Sequence, residues 1–119
     1  MPDAGVNPVE KFDVKPSEDG QSVIYTPKTP DNGEKPSFKG ITFTSDNVEK
    51  VIIVPVNKDG KEVGEPTTVP VEKTDKPTTV LLENPHPSDS VKVTFVPRTP
   101  GDTPDAKVTS IIACMKEDG

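Results

Sequence analysis

Frequent proline is the feature that most limits the folds open to this chain. Fifteen of the 119 residues are proline and eight are glycine. Proline lacks a backbone donor and clashes inside a helix. Because proline and glycine interrupt the chain so often, long helices are excluded. The apolar residues favour strands, since sixteen Val and six Ile accompany only two Leu and three Ala, and β-branched side chains suit a pleated surface. The sequence therefore predicts an all-β fold.

Alternating apolar and polar residues divide the chain into short strands with turn signals between them. The Asp-Gly pair in Lys58–Gly60 separates two such strands and is a strong hairpin signal. Pro55, Pro66 and Pro70 indicate edge positions or bulges, because proline cannot donate to a ladder. The pattern predicts an antiparallel β-sandwich or jelly roll of about seven or eight strands. The predicted strands are Lys11–Val14, Ser22–Thr26, Gly40–Thr44, Val48–Asn57, Lys61–Val71, Thr78–Glu83, Val91–Val96 and Lys107–Met115.

The length and charge of the chain narrow its class further. A chain of 119 residues fits one domain, here 1–119, with a partly irregular segment at 1–21. We expect this domain to be cut from a larger protein. The net charge of −6, one Arg and thirteen scattered Lys argue against a nucleic-acid partner. No apolar run approaches the ~20 residues of a membrane-spanning helix, so membrane insertion is not expected.

The C-terminal part of the chain resembles the galactose-binding-domain-like jelly rolls of the discoidin or coagulation factor type C group. Ser90–Phe95 is similar to that family's Val-Arg-Ile-Thr-Phe type of strand, and Lys107–Cys114 to its last strand before a terminal cysteine. With the hairpin Val48–Gly60, the resemblance covers residues 41–115, and it implies a jelly roll that binds sugar. The chain departs from the family in having no tryptophan, no second cysteine and no arginine before Arg98. The resemblance therefore supports the sandwich more than it supports the sugar site.

Alternation along each strand predicts which side chains face the interior of the sandwich. On the last strand it places Cys114 inward with Ile112, as a small buried hydrophobic residue. The alternative is that Cys114 forms a disulfide with a cysteine outside this chain. The predicted interior residues are Ile41, Phe43, Val51, Ile53, Val91, Val93, Phe95, Val108, Ile112 and Cys114.

Two kinds of binding site are candidates in the loops. A sugar site needs an apolar platform and a few converging polar groups, and Tyr25 and Phe38 are expected to be exposed beside the loop that follows Tyr25. The candidate ligand-binding residues are Tyr25, Asp31, Asn32, His86 and Arg98. Calcium binds six to eight oxygen atoms, and the loop carboxylates that could provide some of them are Asp31, Asp102 and Asp105. Calcium is thus the only candidate cofactor, although ordinary solvent-exposed turn residues are the favoured explanation of these loops.

Catalytic motifs are missing from the sequence. The only histidine, His86, lies between Pro85 and Pro87, and there is no nucleophile elbow, zinc spacing or phosphate loop. We therefore expect a non-catalytic extracellular module of a secreted or surface protein that mediates adhesion through carbohydrate or another extracellular protein. The alternative is a structural, self-associating domain of a secreted matrix, adhesive or mucin-like protein, since Thr-Pro-rich loops are typical of such material.

Overall fold

The computed structural model describes residues 5–6, 12–17, 21–28, 37–83 and 87–114, and it contains nine strands in these ranges. No helix is found among the described residues, and none there is long and apolar enough to cross a membrane. The predicted all-β class is therefore confirmed. The strands are β1 (Gly5–Val6), β2 (Phe12–Pro16), β3 (Ser22–Pro27), β4 (Ser37–Ser45), β5 (Val48–Val56), β6 (Thr67–Pro70), β7 (Thr78–Leu81), β8 (Ser90–Pro97) and β9 (Ala106–Cys114).

The strands form two antiparallel sheets that follow the order of a jelly roll. The four-stranded sheet runs β1-β9-β4-β7, and the five-stranded sheet runs β2-β3-β8-β5-β6. From β3 onwards the chain changes sheet at almost every connection, and only β5 and β6 are consecutive neighbours in one sheet. Two Greek keys folded on each other give this order. β2 is an additional edge strand beside β3, as predicted for the segment near Lys11–Val14.

Aromatic and β-branched side chains from both sheets fill the space between them. Phe43 on β4 and Phe95 on β8 meet edge to face, with ring centroids 5.3 Å apart. Phe12 and Phe38 make a second contact between the sheets, at 6.3 Å. Every interior residue predicted on β4, β5 and β8 is buried. This burial accounts for most of the stability that a small sandwich can gain.

The interior face of β9 differs from the predicted one because the strand contains a bulge. Phe43 is opposite Val108 while Thr42 is opposite Ser110, so Thr109 is an extra residue in the ladder. A bulge of this kind reverses the alternation of side chains. The buried residues beyond it are Ile111 and Ala113, and Ile112 is only half-buried. The alternation with Ile112 that predicted an inward Cys114 is therefore wrong, and the Cys114 side chain lies outside the described residues.

The predicted hairpin forms, although its second strand is shorter than expected. β6 covers only Thr67–Pro70 of the predicted Lys61–Val71. The turn is held by Asn57, whose side-chain oxygen accepts from the backbone N–H groups of Asp59 at 2.9 Å and Lys61 at 3.0 Å. Gly60 takes a positive φ of 83°, which is why glycine suits this position.

The prolines of the hairpin avoid the hydrogen bonds that they cannot donate. Pro70 lies on β6, the edge strand of its sheet, as predicted. Pro55 lies on β5, which has a neighbour on both sides, but the ladder with β6 ends at Ile53. The carbonyl of Pro55 accepts from Val63 beyond that point. The missing N–H of Pro55 therefore costs no ladder bond with β6.

Removing the Phe43 ring should test how far the two sheets depend on it. Phe43→Ala is expected to lower the free energy of unfolding by about 3–5 kcal/mol, through lost burial and the cavity left beside Phe95. Leu81→Ala is the matched control, because Leu81 is 60 % exposed on the four-stranded sheet; its expected cost is below about 0.5 kcal/mol. Chemical denaturation of both variants measures the difference. Equal losses in the two variants would contradict the proposed role of the ring.

Candidate functional site

The outer face of the five-stranded sheet carries a regular set of side chains on β3 and β8, two neighbouring inner strands. Ile24 is opposite Lys92, with one pair of hydroxyl residues on each side of it along the strands. In the Ser22–Thr94 pair the oxygens are 2.8 Å apart, and in the Thr26–Ser90 pair they are 2.7 Å apart. Register places these pairs on the face away from the core, because Val91 and Val93 between them are buried.

Each hydroxyl pair retains hydrogen-bonding capacity. One hydroxyl donates to the other, so the accepting residue keeps its own O–H for another partner. Ser22 and Ser90 are buried, whereas Thr26 and Thr94 are half-buried. The face thus offers ordered hydroxyl groups at its surface, held in place by their partners below.

A shallow groove lies on this face where β2 joins it. The groove has a volume of about 150 Å³ and is mostly apolar inside. Lys15 on β2 and Lys92 on β8 are both opposite Ile24, one from each neighbouring strand. We call this the lysine groove. Its lining residues are Lys15, Pro16, Ser17, Ser22, Ile24 and Lys92.

Two more open clefts lie at the end of the sandwich where β4 turns into β5. Both include Ser45 and Asp46; one, of about 630 Å³, extends to 73–75 and the other, of about 310 Å³, extends to Asp105 and Lys107. Their lining mixes exposed carboxylates with lysines and contains no large apolar side chain. These clefts are wide and polar, and so they lack the apolar floor that most ligand sites use.

Arg98, a predicted ligand residue, binds the backbone of its own domain. Its Nη2 atom donates to the carbonyl oxygens of Val48 at 2.9 Å and Val71 at 2.8 Å. The backbone N–H of Arg98 donates to the carbonyl of Asn47. The guanidinium therefore joins the start of β5 to the chain that leaves β6.

The loop that contains Asp102 and Asp105 is fixed by a neighbouring amide. The Asn47 side chain donates to the carbonyl of Thr103 at 2.9 Å and accepts from the N–H of Asp105 at 2.6 Å. Both aspartates are exposed. Within the described part of the chain, no group of three His, Cys, Asp or Glu side chains could hold a metal ion. The remaining predicted calcium ligand, Asp31, lies outside the described residues.

The other predicted ligand residues do not form one site. Tyr25 is buried with 5 % exposure and Phe38 with 1 %, so the exposure expected of them is wrong. Tyr25 is opposite Val91 on β8, and Arg98 follows seven residues later, roughly 20 Å away along an extended strand. Asn32 and His86 lie outside the described residues. Alternation with Val23 and opposition to Val91 are the signals that place Tyr25 in the core.

The solved structures similar to this chain are carbohydrate-binding modules. Three are variants of a family 29 module, CBM29-2. The first is 14% identical with a TM-score of 0.42 over 96% of this chain and 81% of that one. The second is 17% identical with a TM-score of 0.41, over 92% and 84%. The third, complexed with cellulohexaose, is 15% identical with a TM-score of 0.38, over 86% and 74%.

No family model and no curated protein matches the chain. The predicted antiparallel sandwich is confirmed by the strand pairing of this chain itself. Its jelly-roll order agrees with the resemblance to the galactose-binding-domain-like group.

Arg98 should contribute to stability through its two bonds to carbonyl groups. Arg98→Met removes the guanidinium but keeps most of the stem, and it is expected to lower the free energy of unfolding by about 1–3 kcal/mol. Lys76→Met is the control, because Lys76 is exposed in a loop. Denaturant unfolding of both variants measures the loss. If Arg98→Met leaves the free energy of unfolding unchanged, the two carbonyl groups are satisfied without the side chain.

The pKa of Tyr25 makes stability depend on alkaline pH. Burial raises the pKa of Tyr25 from 10.0 to about 12. Its contribution is therefore complete below pH 10 and is lost as the pH rises towards 12, up to about 2–3 kcal/mol. Tyr25→Phe should remove this part of the pH dependence. Unfolding curves between pH 8 and pH 12 test this, and identical slopes for the two proteins would contradict it.

Proposed function

We propose that this chain is a non-catalytic carbohydrate-binding module of an extracellular adhesive protein, and that saccharides bind on the outer face of the five-stranded sheet. The observation that carries the proposal is the arrangement of Ile24 and Ile52 beside the hydroxyl of Thr94. Ile24 and Ile52 are half-buried on the outer face, and Ile52 is directly opposite Thr94. A sugar ring presents C–H groups on its faces and hydroxyl groups at its edge. Aliphatic side chains interleaved with ordered hydroxyls are complementary to both.

The aromatic residues of the chain limit how strongly such a face can bind. All five of them, four Phe and one Tyr, are buried. Stacking on aromatic rings, a large contribution in many ligand sites, is therefore not available to a saccharide. We infer that affinity is modest and that hydrogen bonds and lysines supply the selectivity.

The contacts of the hydroxyl groups support a binding role over a catalytic one. Within the described part of the chain, the hydroxyls of Ser22 and Thr94 bond to each other, as do those of Thr26 and Ser90, and neither pair includes a histidine or carboxylate base. A nucleophilic hydroxyl requires such a base within hydrogen-bonding distance. The described residues also contain no group of three or more His, Cys, Asp or Glu side chains that could hold a metal ion.

Removing the apolar surface of the outer face should test the proposal. The double variant Ile24→Ser, Ile52→Ser is expected to bind saccharides roughly five- to tenfold more weakly, because both aliphatic contacts are lost. Leu81→Ser is the matched control, as an exposed aliphatic residue on the other sheet. A glycan array followed by calorimetry measures binding, with and without a calcium chelator.

Two results would contradict this assignment. One is a complete absence of saccharide binding by the wild-type protein in both conditions. The other is a hit that Leu81→Ser abolishes and the outer-face variant leaves unchanged. A hit that disappears with chelator would instead identify a calcium-dependent loop site and move attention to the region of Asp31.

A further inference from the structure

The charge on the outer face of the five-stranded sheet is opposite to that of the whole chain. The protein has 20 acidic and 14 basic residues, a net charge of −6. Register places Lys15, Lys50 and Lys92 on this face. The acidic strand residues beside them are Asp13 and the exposed Glu49, which is the extra residue of the bulge before Lys50. Asp13 is exposed at the edge strand, two residues from Lys15. A face that is locally cationic on an acidic protein favours an anionic ligand there.

The positions of Lys15 and Lys92 allow both ammonium groups to reach one anion. Both residues are direct partners of Ile24, from the strands on either side of β3. Neighbouring strands are about 4.8 Å apart, which puts the two lysine backbones roughly 10 Å from each other with Ile24 between them. A lysine has a flexible four-carbon stem and three donors. An anion above Ile24 is therefore within range of both lysines.

The surroundings of the two lysines fit an anionic group that is attached to a sugar ring. The lysine groove is mostly apolar inside, and its volume of about 150 Å³ is small. Ile24 forms part of its lining, and the hydroxyl pair of Ser22 and Thr94 lies along one side. A ring can cover the isoleucine while its charged substituent lies between the ammonium groups.

We propose that the lysine groove binds the carboxylate or sulfate group of an acidic saccharide, such as a uronic acid or a sulfated sugar. The inference rests on the proposed function and specifies its ligand class. A membrane surface is disfavoured, because recognition of anionic lipids uses clusters of four to eight basic residues. A nucleic acid is disfavoured by the overall negative charge of the chain.

Substituting the two lysines should test the inference directly. The double variant Lys15→Gln, Lys92→Gln is expected to bind acidic saccharides roughly five- to tenfold more weakly than the wild type. Lys61→Gln, Lys76→Gln is the matched control, because both of its lysines are exposed and lie outside the groove. The charge-preserving variant Lys15→Arg, Lys92→Arg should recover most of the binding. Thermal unfolding of all variants confirms that they are folded.

The probes separate the sources of the negative charge. Polygalacturonate presents carboxylates, dextran sulfate presents sulfates, and unmodified dextran is neutral. Wild-type binding to one or both charged polymers, weakened by rising salt and by the Lys15→Gln, Lys92→Gln variant only, would support the inference. Preference for one polymer identifies which anionic group the groove accepts.

Failure of this inference and failure of the proposed function give different results. If neutral saccharides bind as well as acidic ones and the lysine variant binds both normally, the module binds sugar but the inference is wrong. If no saccharide binds at all, both are wrong. Equal binding to polyglutamate or to anionic vesicles would show a general attraction to polyanions and would also overturn the inference.

Discussion

The contact between Phe43 and Phe95 connects the two sheets at the centre of each. β4, which carries Phe43, lies between β9 and β7, and β8, which carries Phe95, is the middle strand of the other sheet. An edge-to-face pair at 5.3 Å adds about 0.5–1.5 kcal/mol to the gain from burial alone. The remaining core is made largely of Val and Ile. The positions of all the other strands follow from pairing outward from these two.

Because every aromatic ring is buried in the core, the surface must bind ligands with other kinds of side chain. Once Phe12, Tyr25 and Phe38 have joined the Phe43–Phe95 pair inside, no Phe or Tyr side chain remains for the surface. On the four-stranded sheet, Thr42 and Thr79 are hydrogen-bonded to each other at 2.9 Å and present a polar row. The outer face of the five-stranded sheet carries isoleucines and lysines as well as hydroxyl groups. This second face combines half-buried isoleucines with two hydroxyl pairs and the lysine groove, which is why it is the better candidate for ligand binding.

Alternation predicted the interior of this sandwich wherever the strands are regular. It succeeded on β4 around Ile41 and Phe43 because that segment contains no extra residue. It failed on β9 because nothing in the sequence around Thr109 marks the bulge, which depends on pairing with Thr42 and Phe43. The exposure expected of Tyr25 was wrong for another reason. Tyr25 alternates with Val23 along β3 and is opposite Val91, so its side chain points into the core although a loop follows the strand.

The lysine groove could not be predicted from the sequence in any form. Lys15 and Lys92 are 77 residues apart in the chain and become neighbours of Ile24 only through the order β2-β3-β8. Local patterns give strands and turns, but strand order is set by non-local pairing. Loop composition therefore points to other residues, such as Arg98, and not to this face. Arg98 stands out in the composition as the only arginine, but its side chain donates to the backbone carbonyl groups of Val48 and Val71.

A groove with two lysines and no aromatic ring is compatible with the adhesive role that we propose. Each exposed charge pair contributes at most about 1 kcal/mol, and salt screens it, so a single site binds a polymer weakly and releases it quickly. A polysaccharide presents the same anionic unit many times, and an adhesive protein with several binding modules engages many units together. Linked sites of modest affinity can exceed the affinity of either one by a factor of 10²–10⁴. The weak site expected here is therefore compatible with strong but reversible attachment of the whole protein to an acidic polymer.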